Sequence, residues 1–379
     1  MTAFGWLIVL SLLFLWFWMN QRPKGFPPGP WKLPLLGNLL YFSQREPLKK
    51  LDQLGKKYGP IFSLYLGRTP VVLTYGFPSA KEVLMVQGIE FAGRASFPIM
   101  DAITSKKGIL TLRYGEIWKE QRRFSLMLLR NFGMGKKSME EKILEEASYL
   151  IQVFTENISM PFGPYEFVDS AVINVISTIL FGKRFEYDNM FLRTLLDDIH
   201  QSSKMTTGPW GLLYNEMPLV RSLPLPHQTI LATGKKVDVF IKKEVAEHKA
   251  TMTPGEPRDF IDAYLEEMQK PERSGSSFEE GQLEILLSDH LVAGAETTSG
   301  TLQWGLLYLM AFPEIQGPRV CLGENLARME LFFFFTSILR NFQLLWPDKS
   351  QAPDFTPHFA ITQFPSHFKM LLKCRQSCE

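Results

Sequence analysis

The sequence contains few cysteines and almost no net charge, and each shortage argues against a class of protein. Three cysteines, Cys321, Cys374 and Cys378, are too few for a disulfide framework and fit a reducing compartment. Cys374 and Cys378 are most simply free thiols, with a metal-binding pair as the alternative. A net charge of +2 gives no strong field for polyanions, so we expect no nucleic-acid partner. Internal repeats and low-complexity tracts are also absent from the sequence.

A long apolar run lies at the N-terminus. Residues 3–19 contain Ser11 as their only polar side chain, and as a helix they would span about 26 Å. This length is close to the roughly 27 Å hydrocarbon core of the endoplasmic reticulum membrane. No basic segment precedes the run and no small-residue cleavage site follows it, which favours an anchor over a signal peptide. Because Arg22 and Lys24 follow at once, we predict a transmembrane helix over 1–20 with the downstream chain in the cytosol. A buried core helix is the alternative.

The remaining chain predicts a mainly helical fold with a small β-sheet. A proline-rich hinge over 21–32 leads into one domain over 33–379. Two β-rich runs, Ile61–Leu66 and 71–75, predict a hairpin. Helical spacing of apolar residues predicts helices over 116–131, 138–157, 167–181, 190–203, 228–250, 257–269 and 278–312. The stretch 205–225, which is rich in glycine, proline and large apolar residues, predicts a loop, either exposed, membrane-touching or buried.

The most informative motif is Gly317-Pro-Arg-Val-Cys-Leu-Gly323, just before a predicted apolar helix over 324–342. This placement presents the Cys321 thiolate at a helix N-terminus, where free backbone N–H groups and the helix dipole favour negative charge. A thiolate held in this way can ligate haem iron and promote cleavage of the O–O bond.

A second motif, Ala293-Gly-Ala-Glu-Thr-Thr298, lies inside the predicted long helix. Gly294 costs about 1 kcal/mol against alanine there, and threonine hydroxyls can bond back to helix carbonyls and bend the helix. Small residues beside Glu296 and Thr297 would let a ligand approach the backbone next to a proton donor. The alternative is a close crossing of two helices with Glu296 solvated.

Trp118 and Arg122 are four residues apart on a predicted helix and therefore share one face. An indole N–H and a guanidinium on one face suit a pair of buried carboxylates, such as the propionates of haem. A surface stack of the two side chains is the alternative. Arg94 is a third candidate for pairing with an anion.

Taken together and in this order, the motifs resemble the cytochrome P-450 monooxygenases, specifically the microsomal type of family two. The anchor and the Pro-Pro-Gly-Pro hinge match, as do Trp118 with Arg122 and the segments 131–136, 258–262, 293–298, 317–323 and 324–330. The resemblance implies the cytochrome P-450 fold, haem b as cofactor and an endoplasmic reticulum membrane location with the catalytic domain facing the cytosol. It also implies insertion of one oxygen atom from dioxygen into a small apolar substrate of the xenobiotic, fatty acid or steroid class.

The resemblance further assigns roles to particular positions of this sequence. Cys321 would be the axial ligand of the haem iron, and Trp118, Arg122, Arg94 and Arg319 would pair with the propionates. Glu296 and Thr297 would relay protons to bound dioxygen, with Gly294 leaving room for it. The electron donor would be NADPH-cytochrome P-450 reductase, with cytochrome b5 as a further partner. The reductase would dock on a basic face that includes Arg123, Arg130, Lys136 and Lys137, and segments 97–110, 205–213 and 288–295 would line the substrate pocket.

The sequence departs from this family just before the cysteine motif. Glu314 stands where the family has phenylalanine, and the family's Glu-x-x-Arg helix is missing between the long helix and Gly317, since Glu120–Arg123 belongs to the Trp118 helix. These departures predict an internal deletion near 316/317 and an incomplete proximal part of the fold. The competing hypothesis is therefore an impaired, membrane-anchored variant that no longer holds haem. Such a variant would act, if at all, by binding the reductase or a full-length partner.

Overall fold

The computed structural model describes residues 11, 14, 21–42, 46–132, 137–158, 160–270, 276–312, 325–348, 350, 352–358, 360 and 362–375. The predicted anchor, apart from Ser11 and Phe14, lies outside these residues, as do Arg319, Cys321, Cys378 and the 316/317 junction. Within the described ranges no helix is long and apolar enough to cross a membrane. The chain divides into two compact units. Unit 1 comprises Met1–Ile99 and Met205–Gln228, and unit 2 comprises Met100–Lys204 and Thr229–Glu379.

The structure is mainly helical, as predicted, with two small antiparallel sheets. In chain order the helices and strands are α1 Pro47–Tyr58, β1 Ile61–Leu66, β2 Thr69–Thr74, α2 Phe77–Lys81, α3 Pro98–Thr104, α4 Glu116–Asn131, α5 Lys137–Glu156, α6 Tyr165–Leu180, α7 Met190–Thr207, α8 Pro209–Glu216, α9 His227–Thr251, α10 Phe260–Gln269, α11 Glu280–Ala311, α12 Asn325–Asn341, β3 Phe342–Leu345 and β4 Leu371–Cys374. A π-helical turn, Glu82–Val86, continues α2. Short 3-10 turns form at Leu39–Tyr41 and Pro218–Val220.

Unit 1 is organised around the predicted hairpin. Strands β1 and β2 pair antiparallel from Ile61 opposite Thr74 to Leu66 opposite Thr69, and Gly67 turns the chain with φ of 56°. Phe62 and Leu64 point into a small core with Leu54 of α1. The hairpin prediction is therefore confirmed.

The prediction of a loop over 205–225 is wrong for 205–216, whereas 217–225 contains no α-helix. Helix α7 continues to Thr207, and α8 then forms over Pro209–Glu216. Gly208 is extended with φ of −79° and ψ of 179°, and Pro209 occupies the first turn, where its missing N–H costs no hydrogen bond. The glycine and proline that suggested a loop instead separate two helices.

Unit 2 holds the large apolar core. Helix α6 is buried along most of its length and packs against α11, while α12 packs against α5 and α11. Phe334 and Ile338 of α12 are almost fully buried. A Cβ at Gly305 of α11 would lie 2.1 Å from the Phe335 ring, so this glycine lets the two helices approach closely. Helix α12, which follows the cysteine motif, therefore packs against the long helix α11.

A second sheet closes the end of unit 2. Strand β3 follows α12 directly and pairs antiparallel with β4, with Phe342 opposite Cys374 and Leu345 opposite Leu371. Cys374 therefore lies in a strand and is half-buried. The sequence did not predict this sheet, since both strands have only four residues.

Candidate active site on helix α11

Helix α11 carries a stripe of small side chains on its exposed face, which we call its open side. Ala293, Thr297 and Thr301 follow one another at the four-residue spacing of one helix face, and all three are exposed. The Thr297 hydroxyl donates to the Ala293 carbonyl at 2.8 Å, and the Thr301 hydroxyl donates to the Thr297 carbonyl at 2.8 Å. Each hydroxyl oxygen keeps its lone pairs while it donates, so the stripe can accept hydrogen bonds from a ligand.

Gly294 lies beside this stripe and contacts a neighbouring helix. A Cβ at this position would approach Ile176 of α6 at 3.1 Å, so the glycine allows α6 and α11 to cross closely. The close crossing agrees with the alternative raised for this motif. The predicted role of Gly294 in leaving room for dioxygen stays a prediction.

Glu296, the residue before Thr297, is only 4% exposed, so the part of the alternative in which Glu296 is solvated is wrong. It lies in a polar cluster inside unit 2, and we call this group the acid cluster. Its members are Asp169 of α6, His200 of α7, and Glu296, Ser299 and Gln303 of α11.

Hydrogen bonds fix one carboxylate of the acid cluster. Asp169 Oδ1 accepts from the Ser299 hydroxyl and from Gln303 Nε2 at 2.8 Å. The His200 ring stands between the two acids, with Nδ1 3.9 Å from Asp169 Oδ2 and Nε2 3.8 Å from Glu296 Oε1. Glu296 Oε1 is buried and accepts no hydrogen bond from any described residue. Asp169 Oδ1 therefore has hydrogen-bond donors, whereas Glu296 Oε1 has none among the described residues.

Burial dominates the electrostatics of the acid cluster. It raises the pKa of Asp169 to about 7 against the opposing hydrogen bonds, and it raises the pKa of Glu296 to about 7. Burial also lowers the pKa of His200 to about 4, with a further contribution from the positive charge of Lys204. Near neutral pH the ring is therefore uncharged, and each carboxyl can either hold or release a proton.

The sequence predicted Glu296 but missed Asp169, His200, Ser299 and Gln303. One signal was available, because Asp169 interrupts a strongly apolar run on α6. An acid at such a position must find polar partners when the helix is buried. The identity of those partners depends on how α6, α7 and α11 pack, which spacing along the chain does not reveal.

Trp118 and Arg122 form the stack that was raised as the alternative reading of this pair. The Arg122 guanidinium lies 5.3 Å from the centre of the Trp118 ring and is exposed. The Trp118 indole N–H donates to the Ile109 carbonyl at 3.1 Å. Ile109 N–H in turn donates to Asp289 Oδ2 of α11 at 2.7 Å, which connects the Trp118 face to the long helix. Pairing of Trp118 and Arg122 with propionates stays a prediction.

The other predicted residues are scattered. Arg94 is exposed in unit 1. Arg123 and Arg130 are exposed on α4, as the predicted docking face for a reductase requires. Lys136 and the side chain of Lys137 lie outside the described residues, as do Cys321 and Arg319.

A second group of titratable side chains lies near the α9–α10 junction. His248, Asp259 and Asp262 are buried and close enough to share a metal ion. Their bonds are already satisfied, because His248 Nε2 lies 2.8 Å from Asp259 Oδ2 and Arg258 pairs with Asp262. The His248 Nδ1 atom lies 2.7 Å from the carbonyl of Glu244. Since both ring nitrogens face acceptors, the geometry calls for a doubly protonated imidazolium and favours an ion pair over a metal site.

Comparison with known proteins identifies the family. The sequence pattern of "Cytochrome P450" matches residues 27–316 and 316–372. The chain is 42% identical over 312 residues to "Cytochrome P450 2J5" of Mus musculus, covering 82% of this chain and 62% of that protein. "Cytochrome P450 2J2" of Homo sapiens is 42% identical over 310 residues, with 81% and 62% covered. The chain therefore belongs to the cytochrome P450 family.

The comparisons also give the share of each relative that this chain spans. It spans 62% of the length of these relatives, and 64% of "Cytochrome P450 2C21" of Canis lupus familiaris at 39% identity. The two family matches meet at residue 316, which is where the sequence predicts the deletion junction. The recognised resemblance to microsomal family-two members, with a segment missing before the cysteine motif, agrees with both findings.

The family uses haem b, and the described residues fit the distal side of that group. A flat macrocycle needs a helix face without large side chains, and Ala293, Thr297 and Thr301 provide one. Burial raises the pKa of Glu296 to about 7, so its carboxyl can hold a proton near neutral pH. Cys321, which would supply the axial thiolate, lies outside the described residues.

Proposed function

We propose that the chain is a haem-thiolate monooxygenase that inserts one oxygen atom from dioxygen into a small apolar organic substrate. The observation that carries this proposal is the exposed stripe of small and hydroxylated residues on α11, directly beside a buried acid whose pKa lies near 7. Haem held by Cys321 would supply the iron chemistry that activates dioxygen. Arg319, Trp118, Arg122 and Arg94 would hold its propionates.

The proton-handling residues are Glu296 and Thr297. A general acid works best when its pKa lies near the working pH, and burial brings Glu296 to that point. The exposed Thr297 directly follows Glu296 in α11, and its hydroxyl donates to the Ala293 carbonyl. Thr297 would orient the ligand's oxygen by hydrogen bonding, while Glu296 would hold or release a proton within the acid cluster and His200 would stay neutral beside it.

The substrate class, electron donor and location follow from the likeness to microsomal relatives. We assign a substrate of the xenobiotic, fatty acid or steroid class, and electrons from NADPH through cytochrome P-450 reductase, with cytochrome b5 as a second partner. The exposed Arg123 and Arg130 on α4 support a docking face for an acidic redox protein. The apolar run over 3–19 supports an anchor in the endoplasmic reticulum membrane.

One observation favours a second candidate, an impaired anchored variant that acts by binding reductase or a full-length partner. Glu330 of α12 is 3% exposed, and its Oε2 atom has no hydrogen-bond partner among the described residues. Burial raises the pKa of this carboxyl well above its ordinary value. A buried acid without a partner is expected where an adjoining part of the fold is missing.

The carbon monoxide difference spectrum of the reduced, membrane-expressed chain separates the two candidates. A red-shifted Soret band that disappears in Cys321→Ser and persists in Cys374→Ser would show thiolate ligation and support the monooxygenase. A band at the position of inactive haem protein, or no band, would refute it and favour the impaired variant. In the first case, substrate screening with added reductase then tests oxygen insertion directly.

A further inference from the structure

A cavity of about 320 Å³ lies in unit 1 where the proline-rich hinge packs against strand β1. Its volume falls at the lower end of the range for small-molecule sites, about 300–1,000 Å³. The lining residues are Arg22, Gly29, Pro30, Trp31, Lys32 and Tyr65. Two of these side chains are cationic, and none of the described residues that line the cavity is acidic. The cavity therefore offers positive charge next to two aromatic rings.

Arg22 is held in a fixed position by neutral groups. Its Nη1 atom donates to the Pro27 carbonyl at 2.8 Å and to the Ser63 hydroxyl, and its Nη2 atom donates to the Pro30 carbonyl at 2.7 Å. These bonds use three of the five N–H groups of a guanidinium. The Nε–H group and one Nη2–H group remain, so the side chain keeps donors and its full charge while its orientation is fixed.

Gly29 is required for this arrangement. A Cβ at Gly29 would lie 1.9 Å from the Ser63 carbonyl oxygen and 2.9 Å from Arg22 Nη2. No side chain fits between the guanidinium and β1, since the backbone of Ser63 cannot move away without disturbing the strand. The hinge is therefore more than a spacer, because Gly29 leaves the room that the Arg22 guanidinium occupies next to β1.

Lys32 adds a second positive charge. Its ammonium lies 3.9 Å from the centre of the Tyr65 ring, which is itself buried. Burial lowers the pKa of Lys32, and the positive charge of Arg22 lowers it further. The two cations are thus close enough to repel each other, and an anion bound between them would relieve that repulsion.

We propose that this hinge cavity binds a phosphate group, with Arg22 and Lys32 as its ligands. An arginine fork and a point-charge lysine together match the oxygens and the double charge that a phosphate monoester carries. Trp31, 63% exposed at the edge of the cavity, and Tyr65 leave room for the organic part of the ligand. The phosphate belongs either to a soluble phosphate compound or to a lipid headgroup, and the test distinguishes the two sources.

The test measures how fast single lysines of the full-length chain are acetylated, by peptide mass spectrometry after brief treatment with an activated acetate ester. The chain is reconstituted in phosphatidylcholine vesicles and titrated with inorganic phosphate, with chloride at equal ionic strength as the reference. Lys24 is the internal control, because it lies in the same hinge, is exposed and does not line the cavity. We expect saturable protection of Lys32 by phosphate and no change at Lys24. Equal protection of both lysines, or none, would overturn the proposal.

A variant and a change of lipid complete the test. Arg22→Gln should raise the phosphate concentration needed for half-protection of Lys32 at least about tenfold, as loss of a charged hydrogen bond predicts. Should this variant fail to fold, the wild-type comparison still decides. In vesicles that contain phosphatidic acid, protection of Lys32 without added phosphate identifies a headgroup as the source. Protection by inorganic phosphate alone identifies a soluble compound.

Discussion

The acid cluster makes a quantitative prediction for Asp169→Asn. The substitution removes the charge but keeps an oxygen that can accept from Ser299 and Gln303. Burial raises the pKa of Asp169 from 3.8 to about 7, so the folded chain holds a proton there that the unfolded chain has lost. The stabilising effect of that proton is fully present below about pH 4 and is lost as pH rises towards 7.

The magnitude follows from the size of this pKa change. Each pKa unit corresponds to about 1.4 kcal/mol, so ionisation of buried Asp169 lowers stability by roughly 4 kcal/mol above pH 7. His200, whose pKa burial lowers to about 4, acts in the opposite sense between pH 4 and 6.5. Wild-type stability therefore mixes both effects, whereas the difference between wild type and Asp169→Asn isolates the carboxyl group.

The assay is urea unfolding of the full-length chain in detergent at half-unit steps from pH 4 to 9. We expect equal midpoints for wild type and Asp169→Asn near pH 4, and a variant that is more stable by up to roughly 4 kcal/mol at pH 8. Asp188→Asn is the matched control, because Asp188 is exposed, and its profile should follow wild type. A constant difference between wild type and Asp169→Asn across the whole range would refute the argument that burial controls this carboxyl.

Three further substitutions test separate contacts of unit 2. Burial lowers the pKa of His248, but the hydrogen bonds to Asp259 and Glu244 and the charges of Asp259 and Asp262 together raise it. His248→Gln should therefore cost about 2 kcal/mol at pH 5 and less as pH rises through that pKa, measured by urea unfolding. Glu330→Met should stabilise the chain by about 1–3 kcal/mol at pH 7.5, because it removes a buried acid whose Oε2 has no partner among the described residues, and the gain should shrink at low pH. Gly305→Ala should cost about 1–3 kcal/mol in thermal unfolding, since its Cβ would meet the Phe335 ring at 2.1 Å.

Gly305→Ala has a matched control within the chain, and each of the three substitutions has an outcome that would contradict its argument. Gly281→Ala near the start of α11 displaces only the flexible end of Lys107, so a helix glycine changes there without the steric cost. An equal loss in Gly281→Ala and Gly305→Ala would contradict the packing argument. For His248, an effect that does not vary with pH would show that the imidazolium does not carry the interaction. For Glu330, destabilisation at every pH would mean that the side chain has a partner after all.

Local pattern predicted the elements that local interactions determine. The helix predicted over 278–312 forms as Glu280–Ala311, and strand β1 forms over Ile61–Leu66 as predicted, because apolar spacing and turn residues specify both. Helix α8 was not predicted, because the sequence analysis took its proline as typical of a loop. In the structure, Pro209 instead begins the helix. The pairing of β3 with β4 joins segments far apart in the sequence, and no short-range signal specifies it.

In the candidate site, too, local sequence predicted some residues, and only the packing of helices identified the others. Glu296 and Thr297 stood out because an acid and hydroxyls follow a glycine inside one helix. Their different burial depends on the neighbours of α11, since Asp169 of α6 and His200 of α7 lie on the side of Glu296. The partners of Glu296 are contributed by two other helices, so only the packed structure identifies Asp169 and His200. Sequence alone supplies the reactive groups, and packing determines which of them are buried.

The packing of α12 against α11 bears on how the predicted deletion would affect haem binding. Phe335 packs onto Gly305, so the helix that follows Cys321 is held against α11 without the absent segment. Chain reach from Phe312 to Asn325 is therefore compatible with the fold that forms. Among the described residues, Oε2 of Glu330 on α12 has no hydrogen-bond partner. If Glu330→Met strengthens the thiolate-type carbon monoxide band, instability of α12 limits haem retention. If it stabilises the chain and leaves the band absent, the missing proximal brace limits haem binding instead.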